Sequence, residues 1–166
     1  MTQAHQNPSA AIGEGPDAAS MSFVRVGVEN IDLLRSVADD VFDYEIDFGF
    51  AKAFLAEPRN ILAVACAGGR VVGQIVAVVH RHLDAPADLY IDNLGVAPAW
   101  QRRGVARRLV AMAFEAGAEQ GAVAAWVAAE TDNAPANALY KTAGATRGQF
   151  AMFSFADLRL RGRPKA

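Results

Sequence analysis

The residues best suited to chemistry form a short basic run with one glycine, Q-R-R-G-V-A, at 101–106. Apolar residues recur at helical spacing from Val105 onward, so the run lies at the start of a predicted helix. The first N–H groups of a helix lack partners inside it, and the macrodipole places partial positive charge there. Gly104 has no Cβ and lets an anion reach the backbone. The run therefore predicts a phosphate or pyrophosphate site, with a solvated basic helix start as the alternative.

A strand and a helix must position this loop. Residues 89–96 form an apolar run between Pro86 and Pro98, which is typical of a buried strand. The helix that begins at Val105 carries its apolar residues on one side, as expected for a helix that packs on a sheet. A further apolar run, 122–128, predicts a strand parallel to the first and joined to it by a right-handed crossover.

The other elements extend this unit into a larger sheet. The predicted order along the chain is β-α-α-β-β-β-α-β-α-β, which indicates an α/β fold, a mixed sheet covered by helices on both faces. Gly68-Gly69 separates two β-branched runs and predicts a hairpin. The remaining predicted strands are 23–28, 61–67, 70–81 and 149–155, and the remaining helices begin at Asn30 or span 47–56 and 134–143.

Length and composition limit the class of protein. The chain has 166 residues, of which 52% are hydrophobic and 20% charged, which suits one globular domain with a real core. A net charge of −2 does not favour nucleic acid as a partner, and no apolar run is long enough to span a membrane. The single cysteine, Cys66, excludes an internal disulfide and fits a cytoplasmic location. Cys66 lies in an apolar run and is predicted to be a core residue, not a nucleophile.

The two ends of the chain differ from its centre. Residues 1–20 are rich in Ala, Gly, Pro, Gln and Ser and are predicted to be a flexible leader without the pattern of a secretory signal. Met21 is a second candidate start. Residues 159–166 form a basic tail that contains proline. The predicted folded domain is therefore 21–158.

Three motifs carry a resemblance to a known family. The loop Q-R-R-G-V-A, the preceding Y-I-D-N-L-G-V at 90–96 and the later N-A-L-Y-K-T-A-G-A at 137–145 resemble the GNAT superfamily of acetyl-CoA-dependent N-acetyltransferases. Within it they look most like the aminoglycoside 3-N-acetyltransferase branch. The resemblance covers 23–158 and implies a centrally splayed sheet, with acetyl-CoA as acyl donor and a primary amine as acceptor.

The resemblance also implies which residues bind the cofactor. In the family the central strand and the next one splay apart at a bulge, for which Gly95 is the candidate because a glycine inside a strand is a bulge signal. The pantetheine arm pairs with the strand backbone, and the loop holds the pyrophosphate. The residues so implied are Leu94, Gly95, Val96, Gln101, Arg102, Arg103, Gly104, Val105, Ala106, Arg107, Asn133, Asn137 and Tyr140.

Direct transfer needs a base for the amine and an acid for the thiolate. By resemblance, Tyr140 is the acid; packing of the helix on the sheet is its alternative role. The family aspartate of the central strand falls on Asn93, and Asp92 lies one position earlier. Asn93 orients an amine but takes no proton. Asp92 points to the opposite face of a regular strand and takes over the role only if a bulge re-aims it. A water held by Asn93, Asp92 or Glu130 is another route.

The acceptor is predicted from an acidic, aromatic segment, 39–48. In the family this region forms a lid over the acceptor, so carboxylates there favour a cationic amine such as an aminoglycoside or a polyamine. Asp43, Tyr44 and Asp47 are the candidate substrate residues, and a solvated helix face is the alternative. His80 and His82 are predicted to be loop residues near the acceptor, and no metal site is expected.

Two other functions stay open. One is a protein or peptide N-acetyltransferase, which needs an open groove. The other is a CoA-binding sensor or pseudoenzyme, which the asparagine at 93 keeps open because it leaves the chain without an evident base. A homodimer through the predicted edge strand 149–155 is a further expectation, since unpaired strand edges favour association.

Overall fold

The computed structural model describes residues 21–154, so the predicted leader, the basic tail and the end of the predicted domain lie outside the described residues. The chain divides into two compact units, with the boundary between Glu130 and Thr131. Among the described residues, no helix is both long and apolar enough to cross a membrane.

The first unit is built on one five-stranded mixed sheet with its strands in chain order. The first four strands pair antiparallel with their neighbours, and the fifth is parallel to the fourth. The strands are β1 (Ser22–Arg25), β2 (Asn60–Ala67), β3 (Arg70–His80), β4 (Ala87–Val96) and β5 (Ala122–Val127). The hairpin predicted at Gly68-Gly69 joins β2 to β3, and both glycines adopt the positive φ that this turn requires.

Helix α2 (Val105–Glu119) covers one face of the sheet and completes the predicted crossover from β4 to β5. Leu109 and Ala113 are fully buried, which confirms the apolar side read from the sequence. A Cβ on Gly73 of β3 would lie 3.0 Å from the Val105 side chain, and one on Gly117 would lie 3.1 Å from Leu89 of β4. These close approaches bring the helix directly onto the strands, as helix–sheet layers require.

The first predicted helix differs from the expectation. Residues Val28–Arg35 form 3-10 turns that start after Gly27, with non-helical backbone angles at Asn30. Asn30 does not cap a long α-helix: its Oδ1 accepts from Gly27 N at 2.8 Å, and its Nδ2 donates to the Arg25 carbonyl. Side chains of this kind compete with the helical backbone for hydrogen bonds, so an α-helix does not form.

The chain then crosses the face of the sheet opposite to α2. We call residues 36–43 the crossing segment. Its start is fixed to β3, because Val71 donates to the Ser36 carbonyl and accepts from Ala38, each at 2.8 Å. Asp40 has a positive φ of 59°, and the next residue, Val41, is only 2% exposed. The segment thus enters the core and leads to α1 (Phe48–Ala56).

The second unit contains helix α3 (Ala134–Thr142), as predicted. The predicted strand 149–155 is wrong for its described part, because 149–154 has no strand pairing. Phe150, Met152 and Phe153 are 80–94% exposed, so the alternating pattern buries no face there. A strand needs a neighbour to pair its backbone, and the described residues supply none. The homodimer was expected to form through this strand, so the described residues give no support for that interface.

Candidate functional site

The predicted anion loop is formed as expected at the start of α2. Gly104 is the residue before the helix and has φ 83°, a left-handed conformation that suits glycine. Arg108 N is the first amide to bond within the helix, to the Gly104 carbonyl. No acidic residue lies in the first turn, and no side chain of the described chain caps it. The N–H groups of Val105, Ala106 and Arg107 thus form an open donor set at the positive end of the helix dipole.

Neighbouring side chains hold this loop in place. Trp100 is 7% exposed and ends a short 3-10 helix, Pro98–Trp100. The Gln101 side chain donates to the Val96 carbonyl at 3.0 Å, which ties the loop to the end of β4. The Arg103 guanidinium lies over the Trp100 ring, 5.3 Å from its centre. Gln101 to Gly104 and Arg107 are exposed, so positive charge surrounds the open donors.

Strand β4 has a free edge beside this loop. Its pairing with β5 runs from Ala87 to Ile91, opposite Val127, and stops there. Asn93 to Val96 continue to pair with β3, but none of the residues from Asp92 to Val96 has a partner in β5. The sheet is thus splayed in the middle, as predicted. The backbone groups of Leu94, Gly95 and Val96 lie in this stretch, where an extended ligand has room to pair.

The bulge in β4 lies at Asp92 and not at Gly95, which corrects the sequence prediction. Val76 of β3 pairs with Asn93 and Ala77 pairs with Ile91, so Asp92 is the extra residue. Tyr90 pairs with Val78, and because paired residues share a face, Asn93 and Tyr90 lie on the same side of the sheet. Without the bulge they would point to opposite faces. The bulge thus re-aims Asn93, and Asp92 is the exposed residue within it.

Gly95 has a different role, because it pairs regularly with Gln74. A Cβ at Gly95 would lie 2.1 Å from the carbonyl oxygen of Val41, which is impossible without a backbone shift. The glycine lets the crossing segment pass directly over β4. The sequence indicates a bulge at Gly95, but the contact with Val41 arises only in the fold, which brings the two residues together.

A polar network joins β3, β4 and the crossing segment. Gln74 is fully buried, and its Nε2 donates to the Val41 carbonyl at 3.1 Å and to Oδ1 of Asn93. Nδ2 of Asn93 donates to Oδ2 of Asp43 at 2.8 Å. The structure thus brings together two residues predicted from the sequence, Asn93 and Asp43. Gln74 was missed, although a lone glutamine in the apolar run R-V-V-G-Q-I-V-A was a visible signal.

The chain from Leu34 to Phe48 lines a cavity of about 500 Å³, which we call the acidic cavity. Its lining includes four carboxylates and one arginine, Arg35, whose guanidinium lies 4.8 Å from the centre of the Phe48 ring. This excess of negative charge favours a cationic ligand. The carboxylates are those of Asp39, Asp40, Asp43 and Glu45.

The three predicted substrate residues differ in position. Asp43 and Tyr44 line the acidic cavity, and Tyr44 is 88% exposed. Asp47 caps α1, because its Oδ1 accepts from Gly49 N at 2.7 Å and from Phe50 N at 3.0 Å. A capping aspartate stabilises a helix by about 1 kcal/mol. This structural role explains an aspartate at 47 without a ligand.

An aromatic cluster shares the face of Asn93. The rings of Tyr90 and Trp126 lie 4.3 Å apart, and His80 stacks on Tyr90 at 5.8 Å. His82 Nε2 is 3.2 Å from Asp88, whose other oxygen is 3.8 Å from His80 Nδ1. No group of three or more metal-ligating side chains is present in the described part of the chain.

Two side chains of the first unit have a pKa that is raised mainly by burial. Burial first, and then the neighbouring Asp92 carboxylate, raise the pKa of the Tyr90 hydroxyl. This places Asp92 next to Tyr90. Burial also raises the pKa of the Cys66 thiol, which favours the protonated form. Cys66 is half-buried, so it lies at the margin of the core and not within it as predicted.

The second unit carries the other predicted residues on α3. Oδ1 of Asn133 caps the helix by accepting from Ala136 N at 3.1 Å. Nδ2 of Asn137 donates to the Asn133 carbonyl at 2.7 Å. Tyr140 is half-buried, and burial raises the pKa of its hydroxyl. The phenol therefore holds a proton at neutral pH, as an acid must.

Comparison with known proteins gives a consistent family. Residues 30–145 match the model of the acetyltransferase (GNAT) family. Mycothiol acetyltransferase of Pseudarthrobacter chlorophenolicus is 30% identical over 140 residues, which are 84% of this chain and 37% of that protein. The N-alpha-acetyltransferase RimI of Mycobacterium tuberculosis is 34% identical over 93 residues, 56% of each chain. The chain thus spans only part of the length of both relatives.

The fold has a wider set of matches. An aminoglycoside acetyltransferase from an uncultured soil metagenomic sample superposes with a TM-score of 0.73 and covers 83% of this chain and 99% of that one. At 24% identity this likeness is one of fold. Together with the match to the family model it confirms the mixed, splayed sheet predicted from the sequence.

Proposed function

Because the chain belongs to the acetyltransferase (GNAT) family, whose members use acetyl-CoA, we propose that it transfers an acetyl group from acetyl-CoA directly to a primary amine. One observation carries the proposal: the unpaired edge of β4 from Asp92 to Val96 leads into the open N-terminus of α2. An extended amide-bearing arm pairs with a free strand edge, and a pyrophosphate binds to free helix amides.

The residues present fit this donor. The backbone of Leu94, Gly95 and Val96 is the proposed partner of the pantetheine arm. The loop and first helical turn, 101–107, are the proposed pyrophosphate site. Gly104 leaves open space, since a Cβ there would meet no heavy atom within 4 Å. Asn133 and Asn137 remain proposed cofactor contacts by family resemblance, although both side chains bond within α3.

The proposed acceptor is a small cationic amine, with an aminoglycoside or a polyamine as the leading class. The acidic cavity supports this, because several carboxylates attract a multiply charged cation more than a neutral amine. The central-strand and N-A-L-Y motifs, most like those of the aminoglycoside 3-N-acetyltransferase branch, also favour it. Asp43 and Tyr44 are the proposed acceptor contacts.

In the proposed reaction the amine attacks the thioester without a covalent enzyme intermediate. Tyr140 is the proposed acid that protonates the departing thiolate. The chain's one cysteine is unsuited to be a nucleophile, because burial raises the pKa of Cys66 and keeps its thiol protonated.

A second candidate is acetylation of a protein N-terminus. The 34% identity to an N-alpha-acetyltransferase favours it, and an N-terminal ammonium group also carries positive charge. An extended peptide, however, gains little from four carboxylates clustered in one cavity.

The test is thiol release from acetyl-CoA with a panel of amines. The panel contains spermine, kanamycin and a peptide with a free N-terminal alanine. Saturable release with spermine or kanamycin, and a slower rate with the peptide, is the expected result. Faster turnover of the peptide would favour the second candidate. Binding of acetyl-CoA without release for any amine would indicate a CoA sensor instead.

A further inference from the structure

A buried amide lies next to the segment that lines the acidic cavity. Gln74 of β3 is fully buried, and its Oε1 has no hydrogen-bond partner among the described residues. An unpaired buried polar atom costs about 1–3 kcal/mol. An apolar residue of similar size would avoid this cost. The sequence therefore keeps Gln74 for the two hydrogen bonds that its Nε2 donates, to Val41 and to Asn93.

The acceptors at the two ends of this network fix the orientation of both side-chain amides, those of Gln74 and Asn93. The Val41 carbonyl and the ionised Asp43 carboxylate are both acceptors only. Gln74 must turn its NH2 group toward Val41, and the same nitrogen then donates to Oδ1 of Asn93. Nδ2 of Asn93 is left to point at Oδ2 of Asp43, at 2.8 Å. Turning either amide round would set two acceptors, or two donors, against each other. The network therefore presents an N–H group to the Asp43 carboxylate.

Asp43 is well placed for a role in the reaction. Asn93 stands next to the bulge, within the stretch of β4 that has lost its β5 partner. Asp43 is exposed and lines the acidic cavity, so its carboxylate is open to a cationic amine. Its backbone follows Val41, which is buried and bonded to Gln74. The carboxylate is thus held between the free edge of β4 and the acidic cavity.

We infer that Asp43 is the base that accepts the proton of the attacking amine, and that Asn93 and Gln74 are its positioning residues. The inference rests on the proposed function and names the group that the sequence left open. Asn93 cannot take a proton itself. Its hydrogen bond to Asp43 instead brings a carboxylate of the crossing segment to position 93 of β4, where the strand itself carries an amide.

The proton balance is complete without a further reactant. The amine nitrogen forms a bond to the thioester carbonyl carbon, and the carbon–sulfur bond breaks. The acceptor binds as an ammonium ion, so its nitrogen loses two protons. The first goes to the Asp43 carboxylate and frees the lone pair for attack, and the second leaves for solvent through Asp43 after the carbon–nitrogen bond has formed. The thiolate that leaves takes a proton from the proposed acid, Tyr140. Proton exchange with solvent returns both groups to their starting states, and exposed Asp43 meets that solvent directly.

Asp92 is the competing carboxylate. It is the extra residue of the bulge and is exposed. Its carboxylate lies next to the Tyr90 hydroxyl and is the second cause, after burial, of the raised pKa of that hydroxyl. Nothing described ties Asp92 to the acidic cavity. Substitution of Asp92, compared with substitution of Asp43, therefore shows which of the two carboxylates is the base.

The first test compares Asp43→Asn with Asp92→Asn in steady-state kinetics with spermine and kanamycin. We expect Asp43→Asn to lower kcat about a hundredfold, the scale of one general base, with a smaller change in KM. Its remaining rate should rise with pH, because the amine then loses its proton to solvent. Glu119→Gln is the matched control, since Glu119 is 61% exposed and pairs with Arg25 at the far end of α2.

The second test exchanges the carboxylate and the amide between residues 43 and 93. In the double variant Asp43→Asn with Asn93→Asp, an amide at 43 donates to a carboxylate at 93, so the hydrogen bond and the charge are both kept. We expect it to recover at least tenfold over Asp43→Asn. Asn93→Asp alone places two carboxylates within hydrogen-bond distance and should be less active than wild type.

The third test concerns Gln74. Gln74→Leu should lower kcat and change the pH profile in the same direction as Asp43→Asn. In the Asp43→Asn background it should lower kcat no further, because both changes interrupt one chain of contacts. The thermal shift with acetyl-CoA shows whether each variant is folded. A merely structural role would instead lower stability and add to the effect of Asp43→Asn.

The possible failures are distinct. No thiol release from the wild type with any amine would overturn the proposed function and this inference together. Normal turnover in Asp43→Asn, or a larger loss in Asp92→Asn, would overturn the assignment of Asp43 alone. Additive losses from Gln74→Leu and Asp43→Asn would remove the positioning role.

Discussion

Gly95 of the central strand lies against the backbone carbonyl of Val41, so closely that a Cβ on Gly95 would stand 2.1 Å from that oxygen. The contact sets how the crossing segment passes over β4. It also keeps Val41 in place to accept the hydrogen bond from Gln74. The geometry of Asp43, two residues later, thus depends on a glycine in the strand.

Gly95→Ala is expected to destabilise the protein by about 1–3 kcal/mol, because a backbone carbonyl cannot move aside without disturbing its neighbours. Gly73→Ala is the matched comparison, since its Cβ would meet mainly side-chain atoms at 3.0–3.3 Å, which have more freedom to adjust. Urea denaturation measures both. Equal midpoints for Gly95→Ala and wild type would contradict the close approach.

Gly104→Glu is expected to abolish the rise in melting temperature that acetyl-CoA produces in the wild type. A ligand bound only by the folded state stabilises it by mass action, and the new carboxylate repels the pyrophosphate. Gly69→Glu is the matched control, because Gly69 also has a positive φ and open space but lies in the β2–β3 hairpin. If the Gly104→Glu protein is folded and still shows the full shift, the pyrophosphate binds elsewhere.

Tyr140→Phe is expected to lower kcat about a hundredfold, with acetyl-CoA binding little changed, because the phenol is the proposed general acid. Burial raises the pKa of the Tyr140 hydroxyl above that of an exposed tyrosine. The acid is therefore protonated at lower pH, and its contribution is lost only as pH rises through that pKa. We expect Tyr140 to cause no fall in kcat below about pH 10. Normal turnover in Tyr140→Phe would mean that water protonates the thiolate.

Asp40→Asn combined with Glu45→Gln is expected to raise KM for spermine more than it lowers kcat, because the lost attraction is mainly to the bound ground state. Asparagine is also tolerated at the positive φ of residue 40. The effect should shrink as salt is added, since exposed charges are screened. An unchanged KM at low ionic strength would show that the acidic cavity does not bind the cation.

The sequence by itself determined the parts of this protein whose causes are local. The loop at 101–106 was predicted because helix periodicity, a glycine and flanking arginines all lie within one short stretch. The βαβ order and the β2–β3 hairpin followed from runs of apolar residues and their breaks. Each of these features depends on neighbours a few residues away, which a reader of the sequence sees directly.

Only the tertiary structure decided the features that depend on contacts between distant segments. The bulge at Asp92, and so the face on which Asn93 lies, was set by the register of β4 against β3. The partner of Asn93 is Asp43, 50 residues earlier, and the need for glycine at 95 comes from Val41. The alternating pattern at 149–155 predicted a strand that does not form in its described part, 149–154, because a strand needs a partner as well as a pattern. Pairing register and close approach of backbones are set by packing of the whole chain, so local sequence does not encode them.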